Sequence, residues 1–341
     1  MKTAVVILNY NGAALMEEFL PSVIHSVNGM DAEVIVADNA STDNSLEFLK
    51  TNHPKVRTIV LDKNYGFAEG YNRALAQIDA EYFVLLNSDV DVDAEWLKPL
   101  EFFMDNNPDV AVCQPKILSQ KNDNYFEYAG AAGGFIDKYG YPFCRGRLFN
   151  DVEPDVGQYD EQKDIFWSSG ACLFIRKKDY EDVGGLDGDF FAHMEEIDLC
   201  WRLKNRGRRI VCIPSSVVYH VGGGTLAQGN PRKTFLNFRN NLLMLYKNLP
   251  SSRVNRILFI RMVLDGLAAL AMLAKGDVKN FKSVLKAHKD FKALKKKFVA
   301  KREKEVSFTD AVGTHDEIYR RSIVLAYYLR GIRKFRNLNW K

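Results

Sequence analysis

Four short runs of Val, Ile and Leu, each separated from the next by a helical pattern, constrain this chain more than any other feature. Ala4–Leu8, Glu33–Ala37, Arg57–Leu61 and Tyr82–Leu86 are apolar with little alternation, as strands covered on both faces are. Between them, 13–27, 43–51 and 68–78 carry apolar residues at helical spacing, with Ser41 or Thr42 as the expected cap of the second helix. Strand, helix, strand, repeated, requires right-handed crossovers and gives a parallel sheet. The expected fold class is α/β, a Rossmann-like, mostly parallel sheet flanked by helices.

From 116 to 165 the rhythm lapses into a stretch rich in Gly, Asp, Asn and Tyr, which reads as a long excursion on the sheet. Apolar periodicity resumes at Ala171–Ile175, then in a helix near Glu196–Arg206 and strands at Arg209–Ile213 and Val217–Tyr219. After the glycine-rich VGGGT at 221–225 the pattern turns helical to the end, with no internal repeats. The expected division is a ligand-binding catalytic unit over 1–225 and a helical region over 226–341.

The net charge of +4 is modest, but 12 Lys or Arg against three acids fall between Lys275 and Lys304. There Phe281, Val284, Leu285, Phe291, Leu294 and Phe298 recur at helical spacing among the lysines. Such a helix either rests on an anionic membrane surface or turns a solvated basic face outward. Ile257–Ala274 approaches the length of a membrane span but carries Arg261 and Asp265 near its middle. Each charge costs roughly 2.5–3.5 kcal/mol there, so a buried or interfacial helix with an i,i+4 ion pair is expected. Five scattered cysteines, Cys113, Cys144, Cys172, Cys200 and Cys212, contain no CxxC pair and fit a reduced, cytoplasmic compartment. The opening MKTAVVILNYNG does not read as a signal peptide.

The strand ends concentrate the chemistry. The first run ends in Asn9-Tyr10-Asn11, the second in Asp38-Asn39 and the fourth in Asn87-Ser88-Asp89. In open α/β sheets the ligand crevice lies beyond the carboxyl ends of the strands. One Asn there is a turn former, whereas three polar ends together make a site. Asp38 can accept from a nucleobase or a ribose hydroxyl. Asn87, Asp89 and Asp91 alternate along an extended segment, an arrangement of oxygens suited to a hard divalent ion.

These residues resemble the family 2 glycosyltransferases of GT-A fold, particularly the rhamnosyltransferase-like branch. The resemblance rests on VVILNYNG (5–12), VIVADNASTDNS (34–45), NYGFAEGYNRAL (64–75), VLLNSDV (84–90), SSGACLFIRK (168–177), FFAHMEEIDLCWRLKNRG (190–207) and VVYHVGGGT (217–225), in order over about 225 residues. It implies that Asn9, Asn11, Asp38 and Asn39 meet the nucleoside, with Asn64, Gly66, Asn72 and Arg73 near the diphosphate. Asn87 then stands where many relatives have the first Asp of a DxD motif, beside Ser88, and Asp89 stands where they have the second. Asp91 either restores the missing charge or faces solvent. His220 resembles the further metal or diphosphate ligand of some relatives, so the implied cofactor is a divalent cation, Mg²⁺ or Mn²⁺.

The cluster Glu195-Glu196-Ile197-Asp198 resembles the family's acid pair, with Glu196 as the base; Glu195 and Asp198, three apart, are near neighbours on one helix. Crowded carboxylates have raised pKa values. Trp167, Ser169 and Gly170 resemble the acceptor-side loop, although a Trp beside a strand is equally often core. The branch implies an inverting transfer of a sugar from a nucleotide-diphosphate donor, dTDP-rhamnose or another hexose donor, to a hydroxyl of a glycan or polyprenyl-linked glycan. An anionic membrane surface is a further expected partner, through the tail that follows the aromatic-Arg-Asn stretch at 235–250; a nucleic acid is not. Two other readings stay open. One is an inactive sugar-nucleotide-binding or scaffold protein, suggested by Asn87 and Glu196. The other is a dinucleotide oxidoreductase, which would need GxGxxG where the chain has NYNGAAL.

Overall fold

The computed structural model describes residues 1–222, 229–312 and 314–340. The glycine-run residues 223–225 therefore lie outside the described residues.

The apolar runs form the strands expected of them, within a residue or two at each end. β1 (Thr3–Asn9), β2 (Ala32–Asp38), β3 (Arg57–Val60) and β4 (Tyr82–Leu86) are joined by α1 (Ala13–Ser26), α2 (Ser45–Asn52) and α3 (Gly66–Leu75). All their pairings are parallel, Asn9 standing beside Asp38 at the carboxyl edge. Neither Ser41 nor Thr42 caps α2. Asn44 holds that position, because the Ser41 hydroxyl accepts from Asn9 Nδ2 and from the Asn11 N–H instead.

Beyond β4 the sheet becomes mixed. β5 (Val90–Val92), α4 (Leu97–Asn106) and β6 (Val110–Ser119) are followed by β7 (Asn122–Phe126), β12 (Lys163–Asp164) and β13 (Cys172–Arg176). Then come α5 (Lys177–Asp182), α6 (Glu195–Lys204) and β14 (Arg209–His220). The order is β12-β14-β6-β13-β4-β1-β2-β3, with β5 on β14 and β7 on β6. β13 enters antiparallel between β4 and β6, while β14 runs parallel to β6. The two expected strands at 209–219 are one, interrupted by an irregularity between Ile213 and Val217.

The excursion at 116–165 holds several short strands rather than one long loop. β6 runs into it, and β8 (Gly134–Asp137), β9 (Pro142–Cys144), β10 (Arg147–Leu148) and β11 (Asp151–Val152) build a second sheet from it. Nor is the C-terminal region helical throughout. After α7 (Pro231–Asn248), α8 (Val254–Ala274), α9 (Val278–Leu294) and α10 (Phe298–Val312), β15 (Ile318–Tyr319) pairs parallel with β8, and α11 (Ile323–Tyr328) follows. The Trp340 ring packs on Phe135, Phe143, Tyr319 and Phe335, so the end of the chain closes the core of the second sheet.

The ion pair expected in α8 forms. Arg261 Nη2 lies 3.3 Å from Asp265 Oδ1, the guanidinium 3.5 Å over the Tyr141 ring, both side chains buried. The opposite face of α8 is bare: Phe259, Val263, Leu267, Leu270 and Leu273 are 40–71% exposed. All five cysteines are buried and unpaired.

Candidate active site at the carboxyl edge of the sheet

The turn after β4 and the end of β14 meet around one imidazole. His220 Nε2 stands 3.1 Å from Asp89 Oδ1 and 3.5 Å from the Asn87 amide, and Nδ1 faces Glu127 Oε2 at 3.4 Å. Burial alone would lower the imidazole's pKa, but the neighbouring carboxylates of Asp89 and Glu127 prevail and raise it to about 10. The donor set suits a divalent cation. An oxygen and a nitrogen about 3 Å apart are spaced as neighbouring ligands of one small ion with bonds of 2.0–2.1 Å. The Asn87 amide, turned over at no steric cost, offers a third oxygen. No group of three or more His, Cys, Asp and Glu side chains suited to a metal occurs among the described residues, so phosphate oxygens and water would complete the shell.

Asp91 is not part of this group. The segment 87–89 is a turn and the strand begins only at Val90, so the expected alternation with Asp89 fails. Cross-strand pairing sets Asp91 opposite Tyr219, and Val90 opposite His220; paired residues share a face. Asp91 instead lines a separate hollow with Lys121, Asp123 and Tyr219.

The donor-side residues divide. Asn9, Asp38 and Asn39 are buried and tie the strand-end loops together. Asn9 Nδ2 donates to Asp38 Oδ2 at 2.9 Å, and the Ser41 N–H donates to Asp38 Oδ1 at 2.9 Å. Both Asp38 oxygens are therefore engaged within the strand-end loops. Asn11, left-handed at φ 53, accepts from the Thr42 N–H at 2.7 Å. Asn39 Nδ2 donates to Asn64 Oδ1 and to the Gly66 carbonyl. A Cβ on Gly12 would come within 2.5 Å of Asn9 Oδ1 and 3.6 Å of Ser88 Oγ, so Ser88 faces the same loop.

Three residues expected on the diphosphate side are engaged within the protein. A Cβ on Gly66 (φ 76) would strike the Phe191 ring at 2.5 Å, and the Phe67 N–H at the start of α3 donates to the Phe191 carbonyl at 2.7 Å. The close approach at Gly66 is thus to Phe191. Asn72 binds the Leu186 carbonyl and N–H and the Tyr180 hydroxyl, as a strut between α3 and the loop before α6. Arg73 is exposed, paired with Glu69 at 2.8 Å and stacked on Tyr65.

On the other side, α6 opens directly from a strained loop. Phe191, His193 and Met194 are all left-handed, with φ of 67, 68 and 75, a conformation costing roughly 1–2 kcal/mol per non-glycine residue. Asn240 on α7 holds them: its Nδ2 lies 2.9, 2.8 and 2.7 Å from the carbonyls of Phe190, Ala192 and His193. Arg239 adds bonds to the carbonyls of Asp189 and Phe190. The sequence marked the Arg-Asn stretch but not this task.

The acids that follow are unlike one another. Glu195 is buried with Oε2 unpartnered among the described residues, and burial, reinforced by the Glu196 charge, pushes its pKa well above the carboxylate range. Glu196 keeps some exposed surface, also has an unpartnered Oε2, and is raised by burial to about 7. The Asp198 charge adds to the push on Glu195, but Asp198 is itself held elsewhere. Arg202 Nε (2.8 Å), Lys247 Nζ (2.9 Å) and Asn248 Nδ2 (2.7 Å) saturate it, making it an anchor between α6 and α7.

The acceptor-side residues are packed. Trp167 is buried, its indole N–H donating to the Phe135 carbonyl at 2.9 Å, and the ring lies against Gly134, where a Cβ would be 2.1 Å away. It is core, with no face for a sugar. Ser169 N–H donates to Gln114 and its hydroxyl to the Ala129 carbonyl; Gly170 sits under Phe67. This segment joins the two halves of the site, since the Asn87 N–H donates to the Ala171 carbonyl and the Ser168 N–H to Cys200 on α6.

A doubly covered sheet with polar strand ends, a His-Asp pair and an acid pair opening a helix defines the GT-A class. Residues 4–184 match the family described as Glycosyl transferase family 2, and the chain belongs to that family. It is 26% identical over 230 residues, 63% of this chain and 75% of the relative, to N-acetylglucosaminyl-diphospho-decaprenol L-rhamnosyltransferase of Mycobacterium tuberculosis. To the dTDP-rhamnosyl transferase RfbF of Shigella flexneri it is 24% identical over 257 residues, 71% and 79% of the two chains. Among solved structures, the mannosyltransferase PcManGT of Pyrobaculum calidifontis in complex with GDP-Man and Mn²⁺ matches with TM-score 0.51 and 14% identity, covering 92% of this chain and 88% of that one. GalNAc-T7 with UDP, GalNAc and Mn²⁺ matches with TM-score 0.58 and 17% identity over 72% of this chain, which spans about half (48%) of that structure's length.

Proposed function

We propose that the protein transfers a sugar, with inversion, from a nucleotide-diphosphate donor to a hydroxyl of a glycan or lipid-linked glycan during cell-surface polysaccharide synthesis. The observation that carries this reading is Glu196, a partly exposed carboxylate with an unpartnered oxygen and a pKa near 7, mounted where a strained loop enters a helix. A base with these properties takes an acceptor proton at neutral pH. The acceptor oxygen then attacks the anomeric carbon from the face opposite the nucleotide, so configuration inverts. Asp89, His220 and Asn87 would hold a divalent cation, Mg²⁺ or Mn²⁺, which supplies charge neutralisation to the departing diphosphate. The relatives' names favour a rhamnosyl donor such as dTDP-rhamnose.

The test is a panel of nucleotide sugars, with and without Mg²⁺ or Mn²⁺, screened for protection against thermal unfolding, followed by NMR of the transfer product. A protecting donor and an inverted product are expected. A retained configuration overturns the mechanism, and donor binding without transfer or hydrolysis supports the scaffold reading.

We further propose that the 226–341 region sets the 1–225 catalytic unit on the cytoplasmic membrane face. The seat differs from the lysine-rich helix read from the sequence, since Val284, Ala287 and Phe291 of α9 are buried. The bare apolar stripe of α8 lies between Arg253 and Arg256 at one end and Lys275 at the other, a pattern suited to an anionic interface. Co-sedimentation with anionic vesicles should fall on raising salt and on F259D/L267D substitution. Full solubility beside anionic vesicles at low ionic strength contradicts it.

A further inference from the structure

Glu127 belongs to none of the motifs that mark the site, yet it stands behind His220. The side chain is buried, and the Ala129 N–H donates to its Oε2. Its Oε1 is wedged against Gly222, whose φ is 71 and where a Cβ would come within 2.7 Å. The same Oε2 lies 3.4 Å from His220 Nδ1, a buried nitrogen with no directed hydrogen bond among the described residues. Nε2, on the far side of the ring, faces Asp89 at 3.1 Å.

An imidazole binds a cation through one unprotonated nitrogen and carries its proton on the other. A carboxylate beside that second nitrogen fixes both the tautomer and the ring plane. We infer that Glu127 is a positioning residue for His220, holding Nδ1–H so that the Nε2 lone pair points to the cation beside Asp89; this rests on the cation reading proposed above. A short movement of the ring closes the 3.4 Å gap into a hydrogen bond. Glu127 touches neither donor nor acceptor in this role.

The test measures Mn²⁺ affinity of the full chain by EPR without any donor, in wild type, Glu127→Ala and Glu127→Gln. Glu127→Ala should weaken Mn²⁺ about 10–100-fold, and Glu127→Gln less, because its amide oxygen still accepts from Nδ1–H. ¹⁵N NMR of Mg²⁺-loaded wild type should show Nδ1 protonated and Nε2 not. If a folded Glu127→Ala protein binds Mn²⁺ as wild type does, the inference falls. Should that variant not fold, the NMR tautomer decides, and a proton on Nε2 overturns the assignment. Wild type that binds no Mn²⁺ removes the cation reading and this inference together, a failure told apart because it appears without any substitution.

Discussion

Replacing Asn240 by Ala should cripple transfer while leaving nucleotide binding nearly intact. The Asn240 amide lies within 2.9 Å of the carbonyls of Phe190, Ala192 and His193. Phe190 keeps a bond from Arg239, so the substitution strips the amide from the Ala192 and His193 carbonyls. Each buried polar group left unpaired costs about 1–3 kcal/mol, and water entering the vacated space recovers part of it. A loss of about 2–4 kcal/mol at this loop follows. That is comparable with the strain of roughly 1–2 kcal/mol held at each of Phe191, His193 and Met194. Without the amide, relaxed conformations of the loop compete with the strained one, and the entry of α6 shifts. A displacement of about 1 Å at Glu196 costs on the order of 10²-fold in rate. The assay pairs urea unfolding with kcat and the donor Kd. A lower midpoint, kcat down about a hundredfold and Kd within about twofold are expected. Unchanged kcat in a destabilised protein would refute the clamp. Asn240→Asp should be worse, since it turns acceptor oxygens on three carbonyls.

With Glu196 as base and its pKa raised to about 7 by burial, kcat should climb about tenfold per pH unit below 7 and level above it; a flat profile from pH 5.5 to 8 contradicts this. Glu195→Gln should retain activity within about threefold, because burial disfavours the ionised form of that carboxyl and the amide copies its shape. The same substitution should raise Tm at pH 8 and leave it unchanged near pH 4. Above its ordinary pKa the unfolded chain releases a proton that the folded state retains, so wild-type stability falls with rising pH and the Gln variant is spared. Trp167→Ala should destabilise by about 3–5 kcal/mol, whereas a sugar-stacking role would raise KM with little change in Tm.

The first, second and fourth strands were legible because each is apolar on both faces, which leaves few alternatives for Val5-Val6-Ile7 or Val34-Ile35-Val36. Their parallel direction followed from the helices between them, but that of β13 was not legible. The run at 172–176 is as apolar as β4, and only tertiary pairing sets it antiparallel. The second sheet was missed because its strands span two to four residues, too short for a period to show, and one of its edges comes from Ile318–Tyr319. At the candidate site, Asp89 stood out at a strand end, whereas His220 and Glu196 stood out only through the family resemblance. Asp91 failed because the alternation assumed an extended chain where 87–89 turns. Asp198 failed because Lys247 and Asn248, which neutralise it, are some fifty residues away in the chain. Glu127 and Asn240 act only through contacts closed by the fold, and no spacing announces them.

Everything turns on whether the carboxylate of Glu196 removes the acceptor proton. Single-turnover transfer by Glu196→Gln, with the protecting donor and Mn²⁺ saturating at pH 8, asks that most directly. A fall of roughly 10²–10⁴-fold with donor affinity unchanged is the predicted result. A Gln variant that transfers sugar within tenfold of wild type would show that the base lies elsewhere.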